Sequence, residues 1–227
     1  MAALIFDFDG VIADSEALAN TVLAEFVTNS GQPTTLDDAL DRYCGRRWDD
    51  VLATIESALG RPLPADFSDH LRAATLDRFR KDLREVRGAT AFIRRFSAIP
   101  RCIASSSSID RLELCLSVLD LEESFGGNVF SADMVSRGKP HPDLFLFAAE
   151  KLGVDPESCL VIEDSASGVK AAVAAGMTAV GLCAGSHIRP GHALRLREAG
   201  TTHLAQSWDE VATFAELFLD RASGLRV

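Results

Sequence analysis

The chain has 227 residues, 47% of them hydrophobic and 25% charged, the composition of an ordinary globular protein with one large domain or a core and a smaller companion. A formal net charge of −10 repels nucleic acid and anionic lipid, and an anionic small molecule can approach only where positive charge is gathered locally. No apolar run is long enough to cross a membrane, and Asp7 and Asp9 fall where a secretory signal is apolar, so a cytoplasmic protein with neither a membrane nor a nucleic-acid partner is expected.

Residues 3–9 read as a strand, yet this apolar run is broken by Asp7 and Asp9. Residues i and i+2 of a strand share a face, and two like charges that close must be offset by a cation, a proton or a function. A helix follows: Leu18, Val22 and Phe26 recur at i, i+4 with Ala19, Leu23 and Val27 alongside, Asp14 or Ser15 is placed to cap it, and Gly31 and Pro33 end it. Further helices are predicted near 36–43, over 48–59 (Val51, Leu52, Ile55 and Leu59 on one face, Gly60 behind) and near 67–84, with no strand-like run between 15 and 84.

After Gly88 the pattern changes. Residues 89–96 form a helix, 100–105 a short apolar strand, 109–119 a helix with Ser108 as its N-cap, and 129–130 a brief strand. Pro142 begins a helix over 143–152 that Gly153 stops; 159–163 is a strand, 165–175 a helix closed by Gly176, 178–182 a strand, and the last helix lies near 208–219. Strands alternating with helices of this length predict βαβ units. The expected fold is α/β, a doubly wound parallel-sheet core (1–14 and 85–227) with an inserted all-helical domain (15–84). His141 reads as a neighbour of the helix-starting Pro142, and His187 and His192 in GSHIRPGH read as loop residues, none of them ligands. Cys44, Cys102, Cys115, Cys159 and Cys183 are odd in number and form no CxxC pair, so neither structural zinc nor a disulfide framework is expected.

Ligands bind beyond the carboxyl ends of the strands of such sheets. Those ends hold Asp7 and Asp9, the run Ser105–Ser108, Glu163 and Asp164, with Lys139 just ahead of a helix. If the strands lie side by side, one crevice collects them. Several carboxylates without a Cys or His cluster suit a hard, oxygen-loving cation, Mg²⁺. A hydroxyl, main-chain N–H groups and an ammonium are what phosphate oxygens need. No GxxxxGK[ST] nucleotide loop is present, which leaves a carboxylate free to act as nucleophile and a second to move the proton.

Taken together, Asp7-Phe8-Asp9-Gly10-Val11, the Ser105 that ends IAS, Lys139 in GKPHPDLF, and Glu163-Asp164-Ser165 with Gly168 resemble the signature stretches of the haloacid dehalogenase superfamily, and within it the β-phosphoglucomutase-like phosphatases with a helical cap. The resemblance covers essentially the whole chain and implies these roles. Asp7 is the nucleophile and carries an aspartyl-phosphate. Asp9 is general acid, then base. Mg²⁺ is held by Asp7, the main-chain carbonyl of Asp9 and Asp164, with Glu163 a ligand or a support. Ser105 and Lys139 grip the transferring phosphoryl group, Ser106 and Ser107 lie beside them, and the cap turn Gly45-Arg46-Arg47 reads the leaving group. The substrate is then a small phosphorylated molecule, probed by a monomer or weak homodimer.

The chain departs from the mutases of that subgroup. Ala19 stands where they carry a cap histidine, Ser15 replaces a threonine, and no lysine matches near Thr75. A mutase needs its phospho-enzyme to outlast water, so these departures favour a phosphatase acting on a sugar phosphate over a sugar-phosphate mutase. A phosphoryl-receiver signalling module combines similar groups, but it is about half this length, lacks a helical insertion and carries its acceptor on a later strand.

Overall fold

A computed structural model describes residues 1–222; residues 223–227, the end of the expected core, lie outside the described part. The chain divides into two compact units, Met1–Asp14 with the chain from Arg84 onward, and Ser15–Leu83. Arg84 falls with the first unit because its carbonyl accepts from Asp14 N (2.9 Å).

The first unit is built on six parallel strands in the order β3-β2-β1-β4-β5-β6: β1 (Ala3–Phe6), β2 (Arg101–Ser105), β3 (Val129–Ser131), β4 (Cys159–Glu163), β5 (Thr178–Leu182) and β6 (His203–Ala205). The helices between them are α5 (Ala89–Arg95), α6 (Ile109–Val118), α7 (Asp143–Leu152), α8 (Ala166–Ala174), α9 (His192–Glu198) and α10 (Trp208–Ala222). All four residues of β1 are fully buried, as a central parallel strand covered on both faces requires. Ala3 and Ile5 join a cluster with Leu144, Phe145 and Ala148 of α7 and with Val169, Ala171 and Ala172 of α8. Phe6 points the other way, edge-on to Phe92 of α5 (5.9 Å) and Phe125 (5.8 Å) and beside Trp208 of α10 (6.0 Å between centroids).

The second unit holds α1 (Glu16–Asn29), α2 (Leu36–Arg42), α3 (Trp48–Leu59) and α4 (Phe67–Asp82) around Val22, Leu23, Val27, Val51, Ile55, Phe67 and Leu71. Thr35 starts α2 with a capping box: its hydroxyl accepts from Asp38 N (3.1 Å) and Asp38 Oδ2 accepts from Thr35 N (3.0 Å). Gly60, in the left-handed region (φ 65°), ends α3.

Several expectations are corrected. The first strand stops at Phe6 rather than residue 9, because Phe8 O accepts from both Ile12 N (2.9 Å) and Ala13 N (3.0 Å) and curls the chain away. Ser15 and Ser108 occupy N-cap positions, but neither side chain makes a capping bond. His192 lies in α9 rather than a loop, and the short strand β6 was not anticipated.

Candidate active site

The strand order 3-2-1-4-5-6 reverses direction between β1 and β4, and it is at such a switch point, beyond the strands' carboxyl ends, that sheets of this kind bind ligands. The register pairs Phe6 with Ile103 and with Ile162, so the residues that follow these strands gather at one edge. Asp7 comes next after β1 and still donates its N–H to Ile162 O (2.9 Å). Glu163 ends β4, Asp164 follows it, and Ser105 ends β2.

Lys139 joins the central strands chemically. Its Nζ donates to Asp7 Oδ1 (2.7 Å) and to Glu163 Oε1 (2.6 Å), and all three side chains are buried. Burial alone would lower the Lys139 pKa, but the Asp7 and Glu163 carboxylates outweigh it and hold the ammonium charged, above its ordinary range. Burial pushes the Asp7 carboxyl well above the usual carboxylate range; Lys139 opposes the rise, and Glu163 and Asp164 add to it. The other oxygen of Glu163 accepts from Ser165 N (2.8 Å) and Ser165 Oγ (2.9 Å), so both of its oxygens already serve the protein.

Asp7, Glu163 and Asp164 each offer a carboxylate oxygen, and these atoms lie within 4.8 Å of one another. The donor set is all oxygen, buried and crowded with negative charge that one lysine only partly offsets. It fits a hard divalent cation such as Mg²⁺. Two glycines make the packing possible. A Cβ on Gly10 (φ 77°) would fall 1.9 Å from Asp164 Oδ2, and one on Gly168 would fall 1.6 Å from Glu163 Oε1.

The Asp9 carboxylate accepts from Ser107 Oγ (2.5 Å) and from Arg111 of α6. Ser105 is buried, and its Oγ accepts from Ser107 N (3.2 Å). Ser106 is exposed. Ser131 at the end of β3 donates to Ser107 O (2.8 Å) and steadies this turn. Gly45, Arg46 and Arg47 belong to the helical unit, in the exposed turn between α2 and α3; Gly45 has φ 72°, and Arg46 donates to Arg42 O (3.1 Å).

Three residues at this edge were not expected there. Arg111 holds Asp9. His187 Nε2 lies 3.0 Å from Asp164 Oδ2, and His192 Nε2 lies 2.6 Å from Asp164 O. The available signal was topological: the loop after β5 neighbours the end of β4, so a histidine-bearing loop there must pass close to Asp164. Arg111 falls in the first turn of the helix that follows Ser105, from where its guanidinium reaches Asp9.

A doubly wound sheet with acidic groups and a lysine at its switch point suits chemistry on a phosphoryl group, and the comparisons give the class. Residues 1–176 match the haloacid dehalogenase-like hydrolase family, and the chain belongs to that family. It is 34% identical to a phosphorylated carbohydrates phosphatase of Thermotoga maritima over 78% of this chain and 82% of that one. It is 26% identical to the 6-phosphogluconate phosphatase of Escherichia coli K12, over 90% of this chain and 91% of that one. A haloacid dehalogenase family hydrolase of Deinococcus radiodurans, solved with bound phosphate and sodium, superposes with a TM-score of 0.79 at 35% identity, covering 95% of this chain and 96% of that one.

Proposed function

We propose that the protein is a Mg²⁺-dependent phosphatase that hydrolyses a small phosphorylated metabolite of the sugar-phosphate class through an aspartyl-phosphate on Asp7. The observation that carries this reading is the buried bridge of Lys139 between Asp7 and Glu163, with Asp164 beside it. The phosphatase relatives named for carbohydrate phosphates, and the phosphate bound in the Deinococcus structure, support it.

In this reading Asp7, the Asp9 carbonyl and Asp164 would hold Mg²⁺, and Glu163 supports Lys139 and the Ser165 turn. Bound Mg²⁺ would supply charge neutralisation for the phosphoryl oxygens. An Asp7 oxygen attacks phosphorus, the P–O bond to the sugar breaks, and Asp9 gives its proton to the leaving oxygen. Water then attacks the aspartyl-phosphate, Asp9 takes the water's proton, and inorganic phosphate leaves with Asp7 restored. Ser105, Lys139 and the Ser106 N–H position the phosphoryl group, with Ser107 N holding the Ser105 hydroxyl in place.

The test is phosphate release from a panel of phosphorylated sugars, sugar acids and sugar alcohols, with Mg²⁺ and with chelator. Asp7→Asn is expected to lower turnover by about 10³-fold or more. Full activity of Asp7→Asn refutes the nucleophile assignment. Glucose 6-phosphate in place of free phosphate from β-glucose 1-phosphate would instead make the enzyme a mutase.

A further inference from the structure

The loop after β5 and the start of α9 carry two histidines that the phosphatase reading leaves without a task. Both converge on one residue. His187 Nε2 meets the Asp164 side chain at Oδ2 (3.0 Å), and His192 Nε2 meets the Asp164 main chain at O (2.6 Å). Their rings stand edge to face with centroids 5.7 Å apart. His187 is only 6% exposed, so this is an interior contact.

The hydrogen positions follow from the partners. Arg195 donates to His192 Nδ1 (3.1 Å), so the ring's other nitrogen carries the hydrogen and donates to the Asp164 carbonyl. A carboxylate oxygen only accepts, so His187 Nε2 carries hydrogen as well. Two glycines are shaped around the contact. A Cβ on Gly10 would fall 2.7 Å from His187 Cε1, and one on Gly185 would fall 2.7 Å from His187 Nδ1. The chain is thus cleared on two sides to admit this ring.

We propose that His187 and His192 form a clamp on Asp164, His192 fixing its main chain and His187 engaging Oδ2, so that Oδ1 is presented to the divalent cation. The inference rests on the proposal that Asp164 is a metal ligand. A carboxylate that rotates freely loses entropy when it binds an ion, whereas one held by a second donor is already oriented. His187 is a positioning residue in this arrangement and does not meet the substrate.

The experiment is calorimetric titration of the 227-residue, substrate-free protein with Mn²⁺ and with Mg²⁺. Wild type, Asp164→Asn, His187→Phe and His187→Gln are compared, and the metal-free melting temperature of each is recorded. Phe keeps the ring and its packing without the donor; Gln keeps an amide donor without the ring. His187→Phe is expected to weaken Mn²⁺ binding by about 10- to 100-fold, and His187→Gln to recover part of that loss. Wild-type affinity in folded His187→Phe overturns the clamp, as does a loss in both variants that tracks their melting temperatures. If wild type itself binds neither ion, the metal reading of the site fails first. If Asp164→Asn loses binding while both His187 variants keep it, only the clamp fails.

Discussion

At the scale of single residues, the site is a problem of space as much as of charge. Gly10 is the clearest case, since its positive φ and the 1.9 Å approach of a hypothetical Cβ to Asp164 Oδ2 each exclude a side chain. Gly10→Ala is expected to displace Asp164 and to cut phosphatase turnover by about 10²-fold or more, the cost of a misplacement near 1 Å. Activity within a few-fold of wild type would show that Asp164 need not stand where it does. Asp7, Asp9, Ser105, Lys139, Glu163 and Asp164 could be singled out in the sequence because carboxylates and a hydroxyl at apolar strand ends, and a lysine just ahead of a helix, have no folding rationale. Arg111 and His187 could not, because their approach depends on the pitch of α6 and the path of the loop after β5, which no local pattern encodes.

At the scale of elements, helix limits followed the apolar period wherever a buried face was long. Trp48–Leu59 and Asp143–Leu152 lie where their spacing placed them, with Gly60 and Gly153 as stops. The failures were short or polar pieces. His203-Leu204-Ala205 has too few residues to show alternation, and α9 (HALRLRE) buries only Leu196. The capping box of α2 allows a test with a definite sign. Hydrogen bonds from the Thr35 side chain and backbone hold the Asp38 carboxyl below its ordinary range. A depressed folded pKa contributes stability that is present above the unfolded value and is lost as pH falls through the folded one. Asp38→Asn is therefore expected to melt below wild type at neutral pH. The gap should begin to close near pH 4, about the unfolded aspartate value, and vanish in stronger acid. A gap that stays constant throughout would show that the charge of Asp38 is not what holds the cap.

At the scale of the whole molecule, crowding of buried acids at the switch point sets a dependence on counter-charge. Burial and the neighbouring carboxylates raise the Asp7 pKa, a cost that the folded chain bears and the unfolded chain does not. Any cation that binds only the folded protein offsets that cost. Mg²⁺ at a hundredfold excess over its dissociation constant is expected to add about 2.7 kcal/mol of stability. Differential scanning should show the melting temperature rise with Mg²⁺ and return with chelator, and Asp164→Asn should abolish the rise. An unchanged melting temperature in wild type across millimolar Mg²⁺ would count against a divalent site. The net charge of −10 gives the same reading from further away, since the field around the protein attracts cations.

The helical unit leaves and rejoins the sheet unit through one narrow seam. Asp14 N donates to Arg84 O (2.9 Å), Val86 N donates to Ile12 O (2.7 Å), and Ala13 and Glu85 form an antiparallel bridge. Partners in such a bridge stand about 5 Å apart. The chain thus leaves and re-enters the sheet unit at paired backbone positions, so an insert whose two ends meet at that distance fits the same opening: the fold is in this sense a socket for the segment between Asp14 and Arg84.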